Sequence, residues 1–453
     1  MDNNRRKFLK KSSVLAASMF LPMQGISWSA KAAAGTKTLI VLTLDGGNDG
    51  INTVIPVEPA QFALYESYRP NIGIPRDSIL SLGALGFDQS GMEFGLHPAL
   101  SSLMPLMDAG KMAIFPATHS GEKLTNRSHF LQHDIYDAGL FDKDIEPGVP
   151  SNQDSRGWIG RYLESKYSST TGVIAQDFEA GHLGLLKGDN FVLELSDPSN
   201  VGLGTTQIVS DEIWNDIKGL TDPAGNSFVS KFAATQTALF DVLLNDVRTK
   251  VDFGRTSGAV TTVYPNAKVG RQFKDAADMI IGLPNLEVVH ISHGNFDTHN
   301  NQVTANDSTL GSHANRLREM SESIAAFTED LGAYDAANGT TLLQDVIIVT
   351  QSEFGRTAKE NGNLGTDHGN ASSWFAFGES INGGIYGSYP GLEPENLNGP
   401  TNKGLEARDW LNQTIDYRDI FSELIGPKHL GSIVPNSAFP GYTGPVSPLN
   451  FIV

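Results

Sequence analysis

Residues 38–49 read TLIVLTLDGGND, and this stretch decides the fold. Thr38 to Leu44 is a continuous apolar run rich in β-branched residues, with no polar alternation. A strand with one wet face would alternate, so a run like this suits a strand covered on both faces, as in a parallel sheet. The run stops on a carboxylate and two glycines, Asp45-Gly46-Gly47. In open α/β sheets, sites form beyond the carboxyl ends of strands, which makes Asp45 a candidate functional residue. Asp-Gly and Asn-Asp are also ordinary turn material, so an Asx turn fits the same residues.

Working outward, similar strand signals occur at Met112–Ala117, Phe191–Leu195, Leu286–Ile291, Val346–Thr350 and, more weakly, Trp374–Phe377. Between them lie patterns of helical period at Pro98–Met107, Phe228–Val251, Ala267–Ile281 and Asn315–Tyr334. Strands alternating with helices predict a three-layer α/β/α sandwich with a mainly parallel central sheet. No internal repeat or long linker divides the chain. Residues 35–453 are therefore read as one domain with loop insertions, with a long surface loop at Gly383–Asn402.

The first 34 residues read as an export signal. Arg5 and Arg6 are followed by Phe8, Leu9 and Lys10, then by an apolar run from Val14 to Met23 and small residues from Ala30 to Ala34. A basic segment, a short apolar segment and an Ala-x-Ala site make a secretory signal, and the paired arginines match the twin-arginine type. Cleavage after Ala32 or Ala34 is expected. The apolar run is too short to cross about 30 Å of hydrocarbon, so no stable span is expected in the mature protein. The partner during export would be the twin-arginine translocase, and the destination the periplasm or the exterior, reached already folded.

Composition narrows the chemistry. With 33 Lys and Arg against 51 Asp and Glu, the net charge is −18, which argues against a nucleic-acid partner. The absence of Cys removes disulfides, thiolate catalysis, Cys-ligated zinc and iron–sulfur clusters together.

Metal-type ligands gather near the strand ends. His290-Ile-Ser-His293-Gly-Asn-Phe-Asp297-Thr-His299 places three His and one Asp within a short segment of a chain that has 11 His. Asp297 and His299 are the better ligand candidates, because His290 still lies within the strand and suits a buried structural role. Glu353 and Arg356 follow the Val346–Thr350 strand, where a local salt bridge is the plain alternative. Asp367 and His368 precede the Trp374 strand, and a hydrogen-bonded turn would explain them equally. Taken together, Asp45, Asp297, His299, Glu353, Asp367 and His368 form a mixed oxygen and nitrogen set suited to one or two divalent ions, zinc or manganese.

A nucleophile could come from the segment after the second strand. Asn126 reads as a helix N-cap, which would put Ser128 in the first turn, where the positive helix end suits an oxyanion or phosphate. An exposed first-turn serine with no such role fits the same residues, and Ser120 and Thr125 are close enough in sequence to compete. Arg127 and Arg356 are candidates to hold an anionic ester substrate bidentately.

The segments LDGGNDG from Leu44, NRSHF from Asn126, GWIGRYL from Gly157, FDTH from Phe296, SEFGRT from Ser352, TDHGN from Thr366 and YRDIF from Tyr417 together resemble an uncharacterised bacterial family. It is a twin-arginine-exported, sulfatase-like family of the alkaline phosphatase and sulfatase superfamily. The resemblance covers nearly all of the mature chain. It implies an alkaline-phosphatase-like fold, a metal ligand at Asp45, a nucleophile at a helix N-terminus, here Ser128, and acidic and His ligands after two late strands. Glu353-Phe354-Gly355 stands where many relatives have Asp-His-Gly, so a ligand position is occupied by Phe. A formylglycine sulfatase is disfavoured, since there is no Cys and no Ser-x-Pro-x-Arg motif. The expected function is that of an exported metal-dependent hydrolase acting on a phosphate or related ester. The alternative is a non-catalytic cell-envelope binding or assembly protein that keeps the fold and a structural metal.

Overall fold

The computed structural model describes residues 36–121, 127–141, 156–167, 173–179, 184–188, 192–196, 198, 247–256, 262–398 and 409–453. The first 34 residues, read above as an export signal, lie outside the described residues, as do Thr125, Asn126 and most of the Phe228–Val251 pattern.

The Thr38–Leu44 run forms strand β1, with all seven residues buried. The remaining strands of the central sheet are β2 (Met112–His119), β3 (Ala175–Asp177), β4 (Leu193–Glu194), β5 (Val288–His293), β6 (Val346–Gln351), β7 (Ser372–Gly378), β8 (Gly384–Ile385) and β9 (Ile415–Asp416). Their order is β8-β2-β7-β6-β1-β5-β3-β4, with β9 paired to β2. β1 lies between β5 and β6, parallel to both. β7 runs antiparallel to β2 and β6, so the sheet is mixed and mainly parallel.

Period-two alternation divides β1 between two cores. Ile40, Leu42 and Leu44 pack on one face of the sheet. Leu39 and Val41 pack on the other. The first face is covered by helices α3 (Lys268–Gly282) and α4 (Ser312–Asn338), where the Phe273 and Phe327 rings meet at 5.6 Å. The second is covered by α2 (Trp158–Lys166) and α5 (Tyr417–Ile425), where Trp158 meets Phe421 at 4.5 Å. The three-layer arrangement expected from the sequence is present. Burial of β1 on both faces is the reason its sequence shows no alternation.

Local boundaries differ from expectation in places. The Pro98–Met107 pattern is a 3-10 turn over Pro98–Leu103 followed by a short α-helix, Met104–Asp108, with Pro105 in its first turn. Helix α1 (His129–Asp137) starts later than expected, and Ser128 is itself the N-cap residue. The Gly383–Asn402 loop contains two short strands, β8 and Leu397–Asn398.

The turn after β1 is anchored by a buried ion pair. Arg69 Nη1 lies 2.8 Å from Asp49 Oδ2 and Nη2 3.0 Å from Oδ1, with both side chains fully buried. Gln302 Nε2 donates to the same carboxylate at 2.6 Å. Burial opposes ionisation of Asp49, but Arg69, His313 and the Gln302 hydrogen bond hold its pKa below the usual carboxylate value. Replacing Asp49 with Asn is expected to destabilise the fold by about 3–5 kcal/mol, because Arg69 is left buried without its counter-charge. A urea unfolding curve measures this, and a loss under about 1 kcal/mol would contradict the assignment. Since the folded pKa is depressed, the contribution of Asp49 is present above the unfolded value of about 3.9 and is lost as pH falls through the lower folded value.

Candidate metal centre

The site is built where the parallel strands end. β1 delivers Asp45, the segment after β5 delivers Asp297 and His299, and the segment after β6 delivers Glu353. β7 is antiparallel, so its start lies at this same edge, with Ser372 opposite Thr118 near the end of β2. The loop before it therefore brings Asp367 and His368 to the same place. Helix α1, which follows β2, adds His129 and His133.

Two groups of ligand-type atoms result, each with its atoms within 4.8 Å of one another: Asp45, His133 and Glu353, and His129, Asp297 and His368. His133 Nε2 is 2.9 Å from Asp45 Oδ1 and 3.7 Å from Glu353 Oε1. His129 links the groups, with Nδ1 2.8 Å from Glu353 Oε1 and Nε2 3.6 Å from Asp297 Oδ2. His299 Nε2 lies 3.2 Å from Asp297 Oδ1 and 3.0 Å from His368 Nε2.

Backbone geometry holds these groups in place. Gly46 has φ +114°, a conformation that side-chain-bearing residues rarely adopt, and its N–H donates to Glu353 Oε1 at 2.7 Å. A Cβ on Gly46 would lie 2.4 Å from the Asp297 backbone nitrogen, so only glycine allows β1 and the Asp297 segment to approach this closely. The His368 Nδ1 pairs with the Arg127 carbonyl oxygen at 2.7 Å, which leaves Nε2 directed at Asp297, 3.1 Å away. Asp367 Oδ1 lies 2.9 Å from His299 Nδ1 and orients that ring in the same way.

The charges are coupled. Burial raises the Asp297 carboxyl, but the Arg356 hydrogen bond and charge, with His368, bring it down to about 2. Burial lowers His133, but its bond to Asp45 and the nearby Glu353 charge raise it to about 9. His129 is raised chiefly by its hydrogen bond to Glu353. His368 is lowered chiefly by burial.

The sequence-derived candidates fall into two sets. Asp45, Asp297, His299, Glu353 and His368 converge. Asp367 lies beside His299, with Oδ1 2.9 Å from its Nδ1, and like His299 it falls outside both groups. Arg127 and Arg356, expected to hold substrate, are turned inward. Arg356 Nε donates to the Gly47 carbonyl at 2.8 Å and Nη1 to the Thr366 carbonyl at 3.2 Å. Its Nη2 donates to the carbonyls of Gly46 and Phe296 and to Asp297 Oδ1. Arg127 donates to the Gly369 and Gly121 carbonyls and to Asn370 Oδ1, with its guanidinium 4.9 Å from the centre of the Trp410 ring. Both guanidinium groups bind backbone and neighbouring side chains because the loops they cross would otherwise bury unpaired carbonyls. Ser128 immediately precedes His129, while Ser120 is fully buried. His290 is structural, paired with Asp177 at 3.0 Å and lying 3.0 Å from Thr43 Oγ1.

His129 and His133 were missed by the sequence reading. Their signal was the four-residue spacing in His129-Phe-Leu-Gln-His133, which puts both rings on one face of a helix.

The family described as "Protein of unknown function (DUF1501)" matches residues 154–428. No curated protein matches the chain. Among solved structures, similar ones include a protein in the alkaline phosphatase superfamily from Vibrio parahaemolyticus, at 11% identity and a TM-score of 0.31, covering 85% of this chain and 71% of that one. Another is a phosphonate monoester hydrolase of Agrobacterium radiobacter, at 10% identity and a TM-score of 0.32, covering 88% and 76%. A third is a sulfatase from Pseudoalteromonas sp., at 12% identity and a TM-score of 0.35, covering 100% and 76%.

Proposed function

This chain belongs to the family described as "Protein of unknown function (DUF1501)", and from that premise we propose that it is an exported metal-dependent hydrolase acting on a phosphate or related ester. The observation that carries the reading is the pair of ligand groups at the sheet edge, joined by His129 and Glu353. Carboxylate oxygens and imidazole nitrogens in this mixture suit zinc or manganese, and one or two ions would fit the two groups. A bound divalent ion would lower the pKa of a hydroxyl or water and stabilise charge on the transferred group.

The residues then divide the work. Asp45, His133 and Glu353 form one set of donors. Asp297, His129 and His368 form the other, with His299 in contact. Gly46 N–H holds Glu353, and Arg356 holds Asp297. Ser128 is proposed as the nucleophile. It sits at the start of α1, where backbone N–H groups favour an anion, and it is next in the chain to His129.

A second reading rests on one observation. The Arg127 and Arg356 guanidinium groups are engaged by the protein itself, which leaves neither as the expected clamp for an anionic substrate. A cell-envelope binding or assembly protein that retains a structural metal would need no such clamp.

Metal analysis of the purified mature protein, followed by a panel of phosphomonoesters, phosphodiesters and sulfate esters, separates the two. Bound metal with turnover supports the hydrolase. Bound metal without turnover on any ester favours the second reading. A protein that takes up neither zinc nor manganese rules out both.

Among the described residues, no helix is long and apolar enough to cross a membrane. Export is proposed from Arg5 and Arg6 with Phe8, Leu9 and Lys10. Replacing both arginines with Lys is expected to leave the precursor in the cytoplasm, read by fractionation and immunoblot. Normal export of that variant would refute the twin-arginine route.

A further inference from the structure

We propose that Phe354 is a positioning residue of this centre, a flat apolar wall that sets the ring planes of His129 and His368. The inference rests on the reading of those two histidines as ligands. His129 comes from α1 and His368 from the loop before β7, so nothing in the covalent chain fixes one ring relative to the other. A metal site requires both lone pairs to be aimed within narrow angular limits, and that demands support from behind.

The His368 ring is anchored at Nδ1 by the Arg127 carbonyl at 2.7 Å, while its Nε2 faces Asp297 at 3.1 Å and His299 at 3.0 Å. These contacts act at the ring's two nitrogens and leave its tilt to packing against its faces. Phe354 supplies that packing. Its ring lies 4.5 Å from that of His368, with the two planes 32° apart. The same ring lies 5.0 Å from His129, with 44° between planes. The two imidazoles meet each other at 4.5 Å and 76°, so Phe354 touches both members of a crossed pair.

Phe354 cannot yield easily. It is fully buried. A Cβ on Gly47, which has φ +79°, would lie 2.3 Å from Phe354 Cε2, so the glycine leaves space that the ring fills. The Arg356 guanidinium carbon sits 5.9 Å from the ring centre. The backbone is clamped across the same loops, with Gly355 N–H donating to the Asn370 carbonyl at 2.7 Å and Gly369 N–H to the Gly355 carbonyl at 2.8 Å. Glu353 therefore delivers its carboxylate to the donor groups while the next residue backs two of the imidazoles.

The test is a cobalt(II) titration of the full mature chain, read by the visible absorption of the bound ion. Phe354→Leu keeps an apolar side chain but removes the flat ring. It is expected to weaken cobalt binding by about 10–100-fold, the range for loss of support to a ligand, and to shift the absorption band. Phe273→Leu is the control, a fully buried ring on α3 that packs against Phe327. It is expected to lose stability while keeping wild-type affinity and band, which a general packing defect at Phe354 would also do. If Phe354→Leu fails to fold, Phe354→Met, which adapts to irregular space, carries the same expectation. Wild-type affinity and band in either folded variant would overturn the inference and leave the centre intact. A wild-type protein that binds no cobalt would overturn the centre, and this inference with it.

Discussion

Glu353→Gln is expected to remove metal binding while leaving the fold in place. Glu353 Oε1 is the atom on which the two donor groups meet: it accepts from Gly46 N–H at 2.7 Å, lies 2.8 Å from His129 Nδ1 and 3.7 Å from His133 Nε2. Its side chain is fully buried, so no water can replace the lost charge at that point. Gln has the same shape and can still accept from Gly46, which protects the turn after β1. Loss of a supporting group around a metal costs about 10–100-fold in affinity, and loss of a shared donor is expected to exceed that range. Isothermal titration with zinc and with manganese reads the affinity, and circular dichroism reads the fold. Wild-type affinity in a folded Glu353→Gln protein would remove Glu353 from the centre and leave the proposed function without its carrying observation.

Ser128→Ala and His133→Ala are expected to separate chemistry from metal binding. Ser128 caps α1 but its hydroxyl makes no capping bond to that helix, so its removal should not unwind the helix that carries His129 and His133. A serine hydroxyl is a weak nucleophile at neutral pH and needs activation by a base or metal. Ser128→Ala should therefore keep metal content and lose turnover by about 10³-fold or more, the scale on which loss of a nucleophile is felt. His133→Ala should lose both metal and turnover, because His133 Nε2 lies 2.9 Å from Asp45 Oδ1 within the first donor group. Steady-state rates and metal content are measured on the same preparations. Wild-type turnover in Ser128→Ala would transfer the nucleophile's role to Thr125, Ser120 or a metal-bound water.

The sequence by itself determined the layers. A strand buried on both faces reads as a near-continuous apolar run, and Thr38–Leu44 and Val346–Thr350 announce that directly. It also determined which edge would carry the site, because Asp45 follows the first run directly and Glu353 follows the second after Gln351 and Ser352, and ligands collect beyond the carboxyl ends of parallel strands. His299 and Asp297 were legible as a dense His and Asp segment.

Only the tertiary structure decided the roles within the cluster. Whether a guanidinium serves substrate or backbone depends on which carbonyls the fold leaves unpaired beside it. Arg356 meets the carbonyls of Gly46, Gly47, Phe296 and Thr366, which come from three separate loops. Its sequence neighbours carry no sign of this. Asp367 and His368 are adjacent in the chain, yet one orients His299 and the other faces Asp297, because the turn before β7 directs successive side chains apart. His129 and His133 had a local signal in their helical spacing. Their pairing with Asp297 and Asp45 required β2, β1 and β5 to be ordered in one sheet, and that order is set by long-range hydrogen bonding and packing, which no short window of sequence contains.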